Sequence, residues 1–463
     1  MSIIHVDKMR MSLAEIAKIT DGELFYSSSA VIRNISLDSR EIEEGTLFVA
    51  IKGERFDGHD FIGKAFEDGA AAIICERIPY KVKGNVILVD NSLAAFGAIA
   101  KAHKALIKPL TVGITGSVGK TTTKQFISAV MASKYKTHKT DGNFNNEIGM
   151  PITMLRMPCD TDALVLEMGM SFAGEISRLS RIAEPDIAVI TNIGSSHIEN
   201  FGSREGIRDA KMEIADGLNK KKGTLVLNGD EPLLAGIENA VYVAMNNESA
   251  DYRPVNIVEG DGYFTFDIKT PDGVAKDFRI ELLGIHNVYN AVVAYAVGKL
   301  AGICDGRIRQ GLLNFENAAM RQNIYENKGY TVIEDCYNAS PESMAASLSV
   351  LCSKAKDGRK VAVLGDMLEL GEQSDILHYG VGKKAAEMGI DELLAFGPRA
   401  HKTAEGAISA GMDADKVTVF TDNTDAESFA KIVSGKLTAG DTVLFKASRG
   451  MALERITKIL SEE

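Results

Sequence analysis

The 463-residue chain has no run of 18 uninterrupted apolar residues, which excludes an ordinary membrane-crossing helix from its sequence pattern. It also lacks any block of lysines and arginines. With a net charge of −11, neither nucleic acid nor an anionic membrane surface is an expected partner, although a local basic pocket for phosphates would not show in that total. Five cysteines, Cys75, Cys159, Cys304, Cys336 and Cys352, show no C-x-x-C spacing and are odd in number. Scattered thiols fit a reducing compartment better than a disulfide framework or a zinc site. The opening residues, MSIIHVDKMRMSLAEIAK, have no long apolar core followed by a small-residue cleavage site, so the expected location is the cytoplasm. Residues 1–108 contain no G-x-G-x-x-G, which removes support for a dinucleotide role there. No N-K-x-D guanine motif is present, which argues against a GTPase-type switch.

What is present centres on residues 110–134, LTVGITGSVGKTTTKQFISAVMASK. Leu110, Val112 and Ile114 alternate as in a strand, while Phe126, Ile127, Val130 and Met131 recur with helical spacing. Between them lie Gly116, Ser117, Val118, Gly119, Lys120, Thr121 and Thr122. Glycines let backbone N–H groups turn toward phosphate oxygens, and the following helix N-terminus adds partial positive charge. Lys120 can reach the β- and γ-phosphates, and the Thr121 hydroxyl suits Mg²⁺. The strict G-x-x-x-x-G-K-[ST] pattern is not met, because Ile114 stands where its first glycine would be. Strand, loop, Lys-Thr and helix nevertheless follow in the required order, and a nucleoside triphosphate is the expected ligand.

The length suits roughly three domains at ~150 residues each, and 45% hydrophobic residues suffice for their cores. We expect an α/β protein. Residues 1–108 read as a small mixed α/β domain, with strands in 45–51, 70–76 and 85–90. Residues 109–318 read as a central domain with a mostly parallel sheet, and 319–463 as a second, Rossmann-like open α/β domain. In the first, hydroxyls and cations gather in 34–40 and 52–59, either as a ligand surface or as plain loops. In the second, the buried strand 163–166 delivers Glu167 to the sheet edge, as a Mg²⁺-binding acid would be, or as a solvated strand-end glutamate. Strand 187–191 runs into NIGSSH, ending at His197, a ligand candidate or an ordinary structural histidine. Residues 204–218 read as one helix whose inward face, Ile207, Ile214, Ala215 and Leu218, also carries Lys211. Such a lysine either lays its stem along apolar surface with its head in water, or is desolvated. A desolvated amine has a lowered pKa and can capture CO₂ as a carbamate, converting a cation into a metal-binding carboxylate. Asn287 and Asn290, one turn apart, could read an adenine edge or cap a helix. The third domain is expected to carry strands at 330–334, 361–364, 392–396, 417–421 and 442–446, with polar tips in 335–341, 365–371 and 446–449.

TGSVGKTTTK, VLEMG, NIGSSHIENFGS, AKMEI, GIHNVYNA, DCYNASP, VLGDMLELGE and FKASRG together closely resemble the Mur ligase family along the whole chain. YNASP and GDMLELGE resemble its dipeptide-adding member, and the DNPxR motif of the diaminopimelate-adding member is absent. The resemblance implies ATP-dependent ligation of D-alanyl-D-alanine to UDP-N-acetylmuramoyl-tripeptide through an acyl phosphate, by a monomer. It implies that Lys120 and the loop 116–122 bind ATP phosphates, and that Thr121 and Glu167 hold one Mg²⁺. His197 and carbamylated Lys211 would hold a second. Asn290 matches an adenine contact, Arg321 a phosphate-binding arginine supplied by the third domain, and Asp335 a ribose-binding acid. Ser39, Arg40, Asn146, Tyr337, Asn338, Ser340 and Arg449 are the corresponding substrate-binding candidates. Val118 departs from the family's usual Asn, with a small expected effect because the loop backbone does most of the phosphate binding. The alternatives are a lysine- or diaminopimelate-adding Mur ligase and a folylpolyglutamate synthase-like ligase, the latter disfavoured because residues 1–115 precede Gly116.

Overall fold

A computed structural model describes residues 3–462 except 7–10, 27–29, 54, 79–83, 318–319, 356–357 and 423–424. Glu54 of the 52–59 stretch and the expected boundary at 318–319 therefore lie outside the described residues. The first unit is a six-stranded sheet in the order Ile4–His5, Asn34–Ser36, Thr46–Val49, Ala72–Cys75, Val86–Leu88, Glu23–Phe25. Its four inner strands run parallel and its two edge strands antiparallel. The helix Ser92–Ile107 closes it and packs onto the next unit.

The second sheet is parallel throughout, in the order Ala240–Val243, Thr224–Asn228, Ile187–Ile190, Leu110–Thr115, Ala163–Glu167, Thr137–Lys139. Leu110–Thr115 sits near its middle, covered on both faces, which is why its sequence is a continuous apolar run. The helix Lys120–Ala132 presents Phe126, Ile127, Val130 and Met131 inward. It packs against Ile285–Leu300, a helix buried almost all round from Asn287 to Gly298.

Two expectations for this unit are corrected. Strand–helix alternation stops after Val243, and Arg253–Glu259, Phe264–Thr270 and Gly273–Ile280 form an antiparallel meander. The cause is a period of two: Phe264, Phe266 and Ile268 point inward, while the residues between them do not. Residues 204–218 are not one helix. An α-helix spans Arg204–Met212, and a 3₁₀ segment follows at Glu213–Gly217. Ser180 imposes the change, its hydroxyl donating to Ile214 O (2.5 Å) and accepting from Gly217 N (3.1 Å). Gly217 passes so close that a Cβ there would lie 1.9 Å from Ser180 O.

The third sheet has the order Asn323–Asn327, Tyr330–Glu334, Thr442–Lys446, Lys360–Gly365, Glu392–Phe396, Val417–Phe420. Only its first pair is antiparallel. The segments that follow Tyr330–Glu334 and Lys360–Gly365 reach the central unit, through Glu342 at Ser195 and Glu369 at His197. Among the described residues no helix is long and apolar enough to cross a membrane, and the cysteines are all free thiols.

The ring of Phe126 is fully buried and stacks on Phe315 with centroids 4.0 Å apart. Phe126→Ala should therefore destabilise the central unit by about 3–5 kcal/mol, read as an earlier urea midpoint.

Candidate active site

The loop between Leu110–Thr115 and Lys120–Ala132 takes its shape from a neighbouring strand tip. Asn192 Oδ1 accepts from the backbone N–H of Ser117 (3.1 Å) and Val118 (2.9 Å), while its Nδ2 donates to Val118 O (3.1 Å). Thr191 Oγ1 donates to the same carbonyl (2.7 Å), and Gly194 N donates to Ser117 Oγ (2.8 Å). Gly116, with φ 150°, lies so close to Thr191 that a Cβ would sit 1.9 Å from its hydroxyl. Gly119, with φ 79°, starts the helix in a left-handed conformation that only glycine adopts without strain. Lys120 Nζ arches over the loop and donates to Gly116 O at 2.8 Å.

A cavity opens above this loop, bordered by Lys120, Thr121, His286, Asn287, Arg321 and Asp335. Arg321 enters from the third unit: its Nη2 donates to Thr121 Oγ1 (3.2 Å) and its guanidinium lies 4.6 Å from the Tyr337 ring centre. Asp335 is buried and accepts from Lys446 Nζ (2.7 Å) and Ser347 Oγ (2.6 Å). Burial would raise its pKa, but Lys446 holds it below the ordinary aspartate value. Lys446 also donates to Asn338 O (3.1 Å), so the tips of two strands are tied together at the cavity wall.

Behind Thr121 lies Glu167, buried, its Oε1 3.3 Å from the Thr121 hydroxyl and accepting from Asn145 Nδ2 at 3.0 Å. Lys124 Nζ stands 3.4 Å from Oε2, an oxygen that accepts no hydrogen bond. Burial pushes the Glu167 pKa up, yet Lys124, Lys120 and Arg321 bring it below its ordinary value, so the carboxylate is ionised. An ionised carboxylate beside a hydroxyl, one of its oxygens held only by an ion pair, is a donor set that fits Mg²⁺. Lys211 is buried from the helix Arg204–Met212 and makes no hydrogen bond or ion pair among the described residues. Burial, with repulsion from Lys120, takes its pKa well below that of an ordinary lysine. His197, in a left-handed backbone conformation with φ 61°, lies with Nδ1 2.5 Å from Glu369 Oε2 of the third unit.

Other candidates are placed differently. Asn290 is buried beside Gly119, donating to Asn287 Oδ1 (3.0 Å) and accepting from Thr123 (3.1 Å). It is Asn287, with His286, whose side of the helix borders the cavity. Asn146 Oδ1 accepts from Gly149 N at 2.8 Å, in the turn that leads into the helix Gly149–Leu155. Ser39 is buried in the first unit, and exposed Arg40 pairs with Asp38 (2.6 Å); neither borders this cavity. Val118, Gly119, Thr122, Asn338 and Ser340 do line it. Arg449 is exposed and pairs with Glu454 at 2.8 Å. Sequence reasoning missed Glu342, whose Oε1 accepts from Ser195 N and Oγ (both 2.9 Å) across the two units. It also missed Lys124, although a turn of helix from Lys120 puts both amines on one face.

This arrangement coincides with three family models. Residues 31–104 match the one described as Mur ligase family, catalytic domain. Residues 114–298 match the Mur ligase middle domain, and 320–449 the Mur ligase, glutamate ligase domain. The chain belongs to the Mur ligase family. A UDP-N-acetylmuramoyl-tripeptide--D-alanyl-D-alanine ligase of Bacillus subtilis is 42% identical over 455 residues, covering 97% of this chain and 98% of its own. A crystal structure of MurF from Acinetobacter baumannii superposes with TM-score 0.90 at 30% identity, covering 98% and 99% of the two chains. The MurF ligase of Thermotoga maritima, solved in complex with ADP, gives TM-score 0.82 at 33% identity, covering 93% of this chain and 97% of that one.

Burial lowers the pKa of His286 from 6.5 to about 4, partly offset by Asp335. Between those values the unfolded chain binds a proton that the folded one does not, so stability falls as pH drops from 6.5 toward 4 and this loss is complete below the folded value. In His286→Gln that part of the slope should vanish, as measured by urea unfolding across the interval.

Proposed function

We propose that this protein is an ATP-dependent, ADP-forming ligase of peptidoglycan precursor synthesis, joining D-alanyl-D-alanine to UDP-N-acetylmuramoyl-tripeptide. The observation that carries this reading is the approach of Arg321 to the phosphate loop at Thr121, combined with full-length relatives of that name. In this reading residues 1–108 bind the UDP-sugar end, with Ser39 and Arg40 as contacts. Residues 109–318 hold ATP, and 319–463 close over it and present the amine, using Tyr337, Asn338, Ser340 and Arg449. Asn146 would contact the peptide from the edge of the loop. The enzyme acts as a cytoplasmic monomer.

A carboxylate is a poor electrophile, so activation must come first. A terminal carboxylate oxygen of the tripeptide attacks the γ-phosphorus, the bond to the bridging oxygen breaks, and ADP leaves. The dipeptide amine then attacks the acyl carbon, loses a proton and expels phosphate. Loop N–H groups, Lys120 and Arg321 stabilise the charge on the transferring group. Bound Mg²⁺ supplies further neutralisation of the phosphate oxygens. Thr121 and Glu167 would hold one ion; His197 and Lys211 would hold a second. For that role Lys211 must be an anion. Its buried, unpaired amine can attack CO₂, forming an N–C bond and releasing one proton to give a carbamate. Asn290 supports the adenine side through Asn287, and Asp335 faces the ribose.

The decisive experiment is mass detection of ligated product over a panel of amine acceptors. Product and phosphate should appear only when ATP, UDP-tripeptide and D-alanyl-D-alanine are all present; phosphate release with nucleotide alone would contradict the ligase reading. Lys120→Ala should lower the ligation rate by roughly 10² to 10³. Arg321→Ala should slow ligation while leaving the thermal midpoint unchanged. Lys211→Ala should be inactive and partly rescued by a small carboxylate such as acetate, and Lys211→Arg should stay inactive. Full activity in Lys211→Arg would exclude the carbamate.

A further inference from the structure

Glu342 joins the third unit to the central one through a single carboxylate oxygen. It stands in the first turn of the helix Pro341–Lys354, and its Oε1 accepts from both the backbone N–H and the hydroxyl of Ser195, each at 2.9 Å. The helix does not need it as a cap, because Ser340 and Ser343 already satisfy its start with a reciprocal pair of hydrogen bonds. The partial positive charge of that helix end favours a carboxylate in the turn. Its second oxygen is buried and accepts no hydrogen bond among the described residues, so Ser195 is where the side chain is engaged.

Ser195 belongs to the run 191–197 that shapes the phosphate loop. Asn192 meets the N–H groups of Ser117 and Val118, and Gly194 N donates to Ser117 Oγ at 2.8 Å. Packing is tight on both sides of Gly194: a Cβ there would lie 3.0 Å from Glu342 Cδ and 3.1 Å from Ser117 Cβ. Only Gly194 and Ser195 thus separate the carboxylate of the third unit from the loop, and Glu342 and Ser117 border the same cavity. We infer that Glu342 is a positioning residue for the phosphate loop: by holding Ser195, it makes the geometry at Ser117 and Val118 depend on docking of the third unit. An undocked third unit leaves the Ser195 donors to water and the loop with its support from Thr191 and Asn192 alone. Nucleotide is then still held, while the arrangement needed to transfer a phosphoryl group is completed only on docking. Glu342 acts through Ser195 and Gly194 and needs no contact with a reacting atom. Its kinetic consequence rests on the ligase reading; the coupling between the two units does not.

The test is hydrogen exchange at single amides of the full-length protein without nucleotide, followed by ligation kinetics. In Glu342→Ala the Ser195 amide should exchange about 10- to 100-fold faster, as expected when a hydrogen bond to a charged group is lost. The amides of Ser117 and Val118, which bond to Asn192 and not to Glu342, should speed up with it. Glu342→Gln keeps an acceptor oxygen and should exchange within a few-fold of the parent protein. If Glu342→Ala does not fold, Glu342→Asp, one methylene shorter, takes its place. In ligation Glu342→Ala should lower kcat roughly tenfold or more, with the KM for ATP within a few-fold of the parent and the rate restored in Glu342→Gln. Unchanged exchange at Ser117 and Val118 in Glu342→Ala would overturn the inference, whether or not Ser195 itself speeds up, and so would an unchanged kcat. Equal effects of Glu342→Gln and Glu342→Ala would overturn it too, by showing that charge rather than an acceptor is required. A parent protein that ligates nothing while its variants exchange as expected would contradict the ligase reading and leave the coupling standing.

Discussion

The phosphate loop exists in its observed shape because one side chain from a neighbouring strand tip satisfies it. Two consecutive loop N–H groups and a loop carbonyl are all met by the Asn192 amide. A loop with φ values of 150° and 79° at its glycines has no regular ladder of its own, and orphaned backbone groups there would be costly. Lacing from the adjacent parallel strand replaces that ladder. It also transmits position: 191–197 is one continuous run, so the residues shaping the loop and the residue facing the third unit share a backbone.

Electrostatics follow from that geometry. Glu167 is the buried anion among Lys120, Lys124 and Arg321, and Lys211 lies within repulsive reach of Lys120. The surplus of cations is the field a polyphosphate would meet. Desolvation lowers the pKa of both Lys120 and Lys124, with Glu167 pulling the other way, so an arriving anion would strengthen their protonation. Across the cavity, Lys446 and Asp335 form a closed pair that adds no net charge.

Much of this was readable in the chain itself, and the failures have local causes. The strand, loop and helix of 110–132 were legible because the apolar period changes from two to helical spacing across the glycines. Glu167 at a strand end and Lys211 on an apolar face were legible for the same reason. The meander of 253–280 was readable too, since FTFDIKT alternates strictly, but alternation of strands with helices was extended past the point where it applies. The tightened turn at 213–217 could not be foreseen, because Ser180 causes it from another helix. Spacing puts Asn287 and Asn290 on one helix face without saying which borders the cavity; that depends on how deeply the helix is sunk beneath Gly119. Glu369 falls within the polar tip 365–371 and Glu342 just beyond 335–341, but the partners of both are brought to them only when two separately formed sheets meet.

The two joints of the molecule share one hydrophobic cluster and differ in the polar contacts beside it. Between the first and second units, helix packs on helix: Gly97 lets Ile182 approach so that a Cβ would come within 2.6 Å of its Cδ1. Lys101 and Lys104 reach over to the carbonyl oxygens of Arg181 and Glu184, at 2.9 and 3.0 Å. Between the second and third, polar tips cross the cleft, Arg321 on Thr121, Glu342 on Ser195 and Glu369 on His197, beside apolar packing that places Ile198 and Leu283 in one cluster with Met344, Leu348 and Val350. Close-packed joints resist displacement, whereas polar tips exchange readily with water. At the second joint the polar contacts across the cleft are thus the replaceable part, each one open to exchange for water, while the apolar packing beneath both joints is not.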